Sequence, residues 1–425
     1  MPSRRLRLPL VATAATVVLG GALVVAGFSP FSPGEKEPAS LAVPVSPSGA
    51  RISPSAAPSP TVSVAPSLGT AAYVTASPKP KASAPTQHVD IHVNCKDGND
   101  NNKGTLAEPL RTIGAATSRS LDAGTVVGLA RGCTWQTTVE LRGDGTKAKP
   151  VKLTAYGSGA LPVINGGKAD QESVVLLTGQ YQIVENIRVT NALKNGIVVH
   201  GPNSGVRSST VDKSGVGVQF RSPGTWADKV TVRDLSMVRD TPGGDDDYGA
   251  VGFLVEAHDV EIGHSSCTNC RAPSNDYGHD GGFVEVWNNA DNLDVHHSTG
   301  SNTQGILEIG ADQPDSSARN IKLRNNKFTN SHGGLVLHTD NNFAIADAQI
   351  AITGNTISST GSQDPPILDG DLSTVTFTSN TVSTASFVAH QTPASHRCNA
   401  ITLRGGAEVG YQRHSSEKLG GKASC

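Results

Sequence analysis

The sequence predicts an all-β solenoid of stacked parallel strands, on three observations. Its 425 residues include 46 glycines, with 4% aromatic and 17% charged residues, a mixture that suits short strands and tight turns better than packed helices. Short alternating patterns recur at Val230 to Val232, Val260 to Ile262, Leu293 to Val295, Ile321 to Leu323, Ile350 to Ile352 and Val375 to Phe377, spaced by 30, 33, 28, 29 and 25 residues. Between them runs a second strand series, each member opened by glycine as a sharp corner requires: GIVVHG from Gly196, GVGVQF from Gly215, GFLVEA from Gly252, GFVEVW from Gly282, GILEIG from Gly305 and GLVLHT from Gly334.

Two or three short strands per period, with no helical periodicity between them, describe one coil of a solenoid with flat parallel sheets. A propeller needs repeats of about 40 residues, and a sandwich does not hold one period for so long. That leaves a parallel β-helix. In the last three members of the first series an asparagine follows the strand at the same place: Asn326, Asn355 and Asn380.

The segments around this body carry other signals. Arg4, Arg5 and Arg7 precede an uncharged stretch from Leu8 through Phe28, so residues 1–29 read as an export signal or a retained membrane anchor, with Arg4-Arg5 hinting at a twin-arginine route. Residues 30–87 hold 12 of the 25 prolines among Ala, Ser, Thr and Val, a composition that buries no core and reads as an extended stalk. The expected divisions are then 88–167 for a cap and first coils, 168–405 for the β-helix body and 406–425 for a tail. With 35 basic and 37 acidic residues, no field draws nucleic acid, and the body is expected to be monomeric and extracellular or surface-held.

Six cysteines in an exported chain favour disulfides, and their clustering suggests Cys95 with Cys133, Cys267 with Cys270, and Cys398 with Cys425. The alternative for Cys267-x-x-Cys270 is zinc, with His264 or His279 as further ligands.

The phrase VNCKDGNDNNKGTLAEPLRTIGAA, followed by AGTVVGLARGCTWQTTVELRGDGTKAKPVKLTAYGSGALPVINGG, resembles the opening of right-handed parallel β-helix proteins of the pectin-lyase-like superfamily. The resemblance covers residues 89–167 closely and the later repeats only in pattern. It implies a short capping helix, expected over Thr112 to Ser120, and a scaffold that often carries lyases, hydrolases and epimerases of acidic polysaccharides. The scaffold alone does not name the reaction.

A candidate site comes from a repeated phrase. DYGAVGFLVEA and DYGHDGGFVEVW lie 29 residues apart, matching Asp247, Tyr248, Gly249 and Glu256 to Asp276, Tyr277, Gly278 and Glu285. Alternation that turns Val255, Val284, Val286, Leu307 and Ile309 inward turns Glu256, Glu285 and Glu308 outward at one level of successive coils. The same rule adds His200 and Gln219 before them and His338 and Arg404 after them. Stacked strands lie about 4.8 Å apart, so like charges in one ladder call for a shared proton, a cation or a partner such as His338, and these are the conditions of acid-base catalysis.

Glu285, Glu308, Glu256 and His338 are therefore the catalytic candidates. Trp287 and Phe283 are expected on the outer face, with Tyr277, Tyr248, His279, Asp280 and Arg404 lining a polysaccharide path. The residues fix no cofactor with certainty; calcium is the candidate ion, with Asp247, Asp276 and Asp280 as its ligands, close to the run Asp245 to Asp247. His296, His297 and His338 also have a plainer reading as turn histidines, and the glutamates as a solvated face. Three functions follow: glycoside hydrolysis, polysaccharide lysis, or glycan or protein binding without catalysis.

Overall fold

The computed structural model describes residues 88–311, 313, 316–338, 348–361, 364–423 and 425. The expected signal or anchor and the proline-rich stalk lie outside the described residues. Among those described, no helix is long and apolar enough to cross a membrane.

Three sheets of twelve, twelve and nine strands run through the body. Each coil gives one strand to each sheet in turn: Glu261–Gly263 to the first, Ser266–Cys270 to the second and Gly282–Trp287 to the third. Asp294–His296, Thr299–Thr303 and Gly305–Gly310 repeat that order one level on, and every pairing between these coils is parallel. This is the expected right-handed parallel β-helix. Both strand series are present, with one correction. Val230 to Val232 falls in the second sheet, as Thr231–Arg233, while its coil's first-sheet strand is Trp226–Asp228, which has Thr225 and Ala227 where the other members carry large apolar residues.

The corners explain why so short a repeat closes. Between the first and second sheets the turn is two residues long, and its first residue adopts a left-handed backbone in coil after coil, with φ of 51° at His264, 50° at His297 and 56° at Asn325. The second residue is buried and polar: Ser265, Ser298, Asn326, Asn355, Asn380 and Asn399. Asn326, Asn355 and Asn380 each donate a backbone N–H to the next coil's side-chain Oδ1, at 2.9 Å in all three cases. Their amide nitrogens return bonds to the carbonyls of Val295, Leu323 and Ile352. A turn amide that water cannot reach is thus satisfied by the coil above it, as buried backbone groups require.

Inside, aliphatic side chains stack over one another and Phe283 lies between Phe253 and Phe328, with ring centroids 5.4 and 5.2 Å away. Each such side chain is fully buried and contributes about 1.5–3 kcal/mol relative to exposure. The helix expected at the N-terminal end spans Ile113–Thr117, with the Thr112 hydroxyl capping the Ala115 N–H at 3.2 Å. Asp100, from the DGND phrase, holds that cap by accepting from the Arg111 and Thr112 amides and the Thr112 hydroxyl. The cysteines pair as Cys95 with Cys133, Cys267 with Cys270, and Cys398 with Cys425, so both sulfurs of the CTNC segment bond each other instead of a zinc ion. The final segment adds the strand Lys418–Leu419 to the second sheet.

Asn355→Ala strips an acceptor from Asn326 and a donor from the Leu323 carbonyl. A loss of about 2–4 kcal/mol is expected in denaturant unfolding, with a smaller loss for Asn355→Asp, which keeps the acceptor.

Candidate active site

The outer face of the third sheet carries the glutamates, in a register that differs by two residues from the one expected. Glu285 pairs directly with Glu308, but Leu254, not Glu256, is the partner of Glu285. Gln219, Leu254, Glu285, Glu308 and Val336 therefore form one column. Since Val255 pairs with Val286 and Ile309 with Leu337, Glu256, Trp287, Gly310 and His338 form a second column, about 6.6 Å farther along the strands. His200 belongs with this second group, because Val199 pairs with Phe220 and Phe220 with Val255. The repeated phrase sets a 29-residue offset at the corner, whereas strand Val251–Val255 and strand Gly282–Trp287 begin 31 residues apart. The two extra residues slip the register while preserving parity, so every glutamate still faces out.

Two expectations about this face are corrected. Phe283 points into the core: Val251 pairs with Gly282 and Phe253 with Val284, so the corner positions Gly252 and Phe283 fall outside the regular alternation. Arg404 follows strand Ala400–Leu403 of the second sheet and donates to the Ser359 carbonyl, so it does not join the third-sheet columns. Trp287 does lie outside. A Cβ on Gly310 would come within 2.7 Å of Trp287 Cζ3 and 3.5 Å of His338 Cδ2, so the absent side chain at Gly310 is what lets the indole lie across the sheet toward His338.

The electrostatics divide the carboxylates. Burial, and then the neighbouring Glu308, Asp280 and Glu256, raise the Glu285 carboxyl well above the ordinary carboxylate range. Burial likewise pushes Asp280 up to about 7, aided by Glu308 and Asp247 and only partly opposed by the Gly281 amide. Glu308 has a partner, with its Oε1 2.9 Å from His338 Nε2. Glu256 accepts from Gln219 Nε2 at 2.7 Å and faces Arg221 Nε at 3.4 Å. The arrangement therefore holds a protonated acid beside a partnered carboxylate, on adjacent strands.

Hairpins at the second-to-third sheet corner build the wall of this face. Met237–Arg239 pairs antiparallel with Tyr248–Gly249, and Ala272–Ser274 with Gly278–Asp280 in the next coil. Tyr248 and Tyr277 are about half exposed at 49% and 48%. Burial and then the Asp245 carboxylate hold the Tyr277 phenol in its neutral form. His279 is kept below the ordinary histidine range by burial and by the positive charges of Arg271 and His332. Arg271, bonded to Gln304 at 2.7 Å, and His332, 3.2 Å from Asp364, were not singled out in the sequence; each sits one residue after a second-sheet strand, a positional signal visible only once the strands are assigned.

Asp247 and Asp276 meet between the two hairpins, joined by Asp246, while Asp280 faces the glutamates. Their carboxylates accept from the Thr241, Asp246 and Asp276 amides and the Ser274 hydroxyl. Burial alone would raise the Asp247 carboxyl, but these hydrogen bonds hold it down at about 2. The repeated phrase is thus largely a hairpin-to-hairpin lock. The three carboxylates lie within 4.8 Å of one another, a separation that a calcium ion tolerates, although the hydrogen bonds already account for them.

No known sequence family matches the chain, and no curated protein is similar to it in sequence. Among solved structures, XylC in complex with xylose superposes with a TM-score of 0.50 at 10% identity, covering 74% of this chain and 69% of that one. The GH136 lacto-N-biosidase from Eubacterium ramulus gives 0.47 at 12% identity over 75% of this chain, which spans 64% of that protein's length. The alginate lyase from Paenibacillus sp. str. FPU-7 gives 0.44 at 16% identity, covering 68% and 93% of the two chains. At these identities the likeness is one of fold. The chain is a parallel β-helix protein.

Asp280 and Glu285 have raised folded-state pKa values, so the stability they contribute is complete below the unfolded carboxylate value of about 4 and is lost with rising pH, for Asp280 as pH climbs through about 7. Melting temperature is expected to fall between pH 5 and pH 8. Asp280→Asn should flatten that slope and raise the melting temperature at pH 8 by about 2 °C or more.

Proposed function

We propose that the chain is an exported glycan-active enzyme that hydrolyses a glycosidic bond across the outer face of its third sheet. The observation that carries this reading is the pairing of Glu285, held protonated, with Glu308 on the adjacent strand, partnered by His338. Adjacent parallel strands lie about 4.8 Å apart, and carboxyl groups about 5–5.5 Å apart suit a retaining mechanism.

In this mechanism Glu285 donates its proton to the glycosidic oxygen as the bond to the anomeric carbon breaks, and a Glu308 oxygen bonds that carbon. Glu285, now a carboxylate, takes a proton from water, whose oxygen displaces Glu308 and regenerates both groups. His338 aims Glu308, while burial, and then the charges of Glu308, Asp280 and Glu256, hold the Glu285 pKa well above the ordinary carboxylate range. Trp287 offers a ring face to a sugar beside this pair, and Tyr248 and Tyr277 extend the path toward the corner hairpins.

Hydrolysis is preferred over lysis because a lyase needs a cation or strong donors to neutralise the substrate carboxylate and a base for the C5 proton. Arg221, next to the columns, is engaged by Glu172 and Glu256, and Arg271 by Gln304. The face is dominated by carboxylates, which would repel a uronate at the reacting position, so the sugar there is expected to be neutral.

The test is incubation of the purified protein with neutral and acidic polysaccharides, with and without calcium, following reducing ends and ultraviolet absorbance together. New reducing ends without absorbance are expected, with Glu285→Gln and Glu308→Gln each lowering the rate about 10²–10⁴-fold while glycan binding persists. The rate should fall at high pH as Glu285 ionises. Asp280→Asn removes a neighbouring negative charge, lowers the Glu285 pKa and so moves that limb to lower pH. Absorbance that survives both glutamine variants would place a lyase site elsewhere. Binding without any product would make the face an adhesion surface.

A further inference from the structure

We propose that His264, His296 and His297 form a binding site for a divalent first-row transition ion, zinc or copper, at the corner between the first and second sheets. This corner faces away from the third sheet and its glutamates, and the site is independent of the glycan reading. One ring nitrogen from each of the three histidines lies within 4.8 Å of the others. His296 Nδ1 and His297 Nδ1 are 3.1 Å apart, which matches two nitrogens bound to one ion at about 2.0–2.1 Å in tetrahedral geometry.

The surroundings of the rings supply a second, separate argument. His264 Nδ1 is 3.0 Å from Asp228 Oδ1, and His296 Nε2 is 2.9 Å from Glu261 Oε1. Each carboxylate takes the N–H of one ring nitrogen and so leaves the other nitrogen, His264 Nε2 or His296 Nδ1, as a lone-pair donor for an ion, with His296 Nδ1 facing His297 Nδ1. That outer shell is the one that metal-bound imidazoles commonly carry, fixing the tautomer and making the ligand more basic.

The backbone is also fitted to the cluster. Gly263 pairs with His296 in the adjacent coil, and a Cβ there would stand 2.6 Å from His296 Cε1, so any other residue would force the imidazole out. His264 and His297 occupy the left-handed corner position one coil apart, which brings their rings to 5.5 Å with an 18° interplanar angle. The His264 side chain is 52% exposed, so an ion can reach the cluster from solvent. Three imidazoles leave a fourth position open to water.

The protein, purified without a polyhistidine tag and treated with chelator, is titrated with zinc chloride and separately with copper(II) at pH 7.5 by calorimetry. One ion per chain is expected, with copper bound more tightly than zinc and both weakened by acid, since protons compete with the ion for the ring nitrogens. His264→Ala and His297→Ala, both at exposed positions, should each weaken zinc at least tenfold without changing the circular dichroism. Asp228→Asn, which keeps all three rings, should weaken it about 10-fold or more through the lost carboxylate. Cobalt(II) substitution should give visible bands of low-coordinate nitrogen ligation, absent in His297→Ala. No stoichiometric binding, or binding that both alanine variants leave intact, overturns the assignment.

Discussion

The structure depends on how a chain turns a tight corner without leaving an amide unpaired. At the junction of the first and second sheets only two residues change the direction of the backbone, and the second places its N–H where water cannot reach. The buried Ser and Asn ladder from Ser265 to Asn399 answers that N–H from the neighbouring coil. Since each rung satisfies the coil next to it, the rungs fix the vertical register, and the columns on all three faces inherit it. The 2.9 Å approach of His338 to Glu308 is a remote product of that alignment.

Periodicity made the solenoid legible from sequence, because an inward residue in a stacked coil must be apolar and an outward one need not be. The parity of Glu256, Glu285 and Glu308 was readable for the same reason. The level of Glu285 with Glu308 was readable too, but that of Glu256 was not. The phrase DYG repeats in hairpins that lock to each other through Asp247 and Asp276, and similarity there reports on the hairpins, while the strands below begin two residues out of step. Sequence identity at a corner is therefore a poor ruler for strand register when insertions differ in length.

The acid character of Asp280 was hidden for a different reason. It was expected to line the polysaccharide path, but the hairpin sets it close to the glutamates, where desolvation outweighs its one amide bond. The corner histidines were unreadable as a group because they come from adjacent coils 32 residues apart, and only the left-handed turn brings the rings side by side.

That left-handed position runs the length of the body, from Asn186 through Ser208, Lys229, His264, His297, Asn325, Gly354 and Ser379 to Cys398. Its last member is bonded to Cys425, and at the opposite end Cys95 is bonded to Cys133. A stack whose coils touch only their neighbours ordinarily frays from its ends. Here each end is covalently pinned, so breathing is pushed toward the middle of the stack. The point of first yielding under heat or a protease then becomes a property of the central coils, whose hairpins overhang the carboxylates, and the termini cease to set the lifetime of the fold.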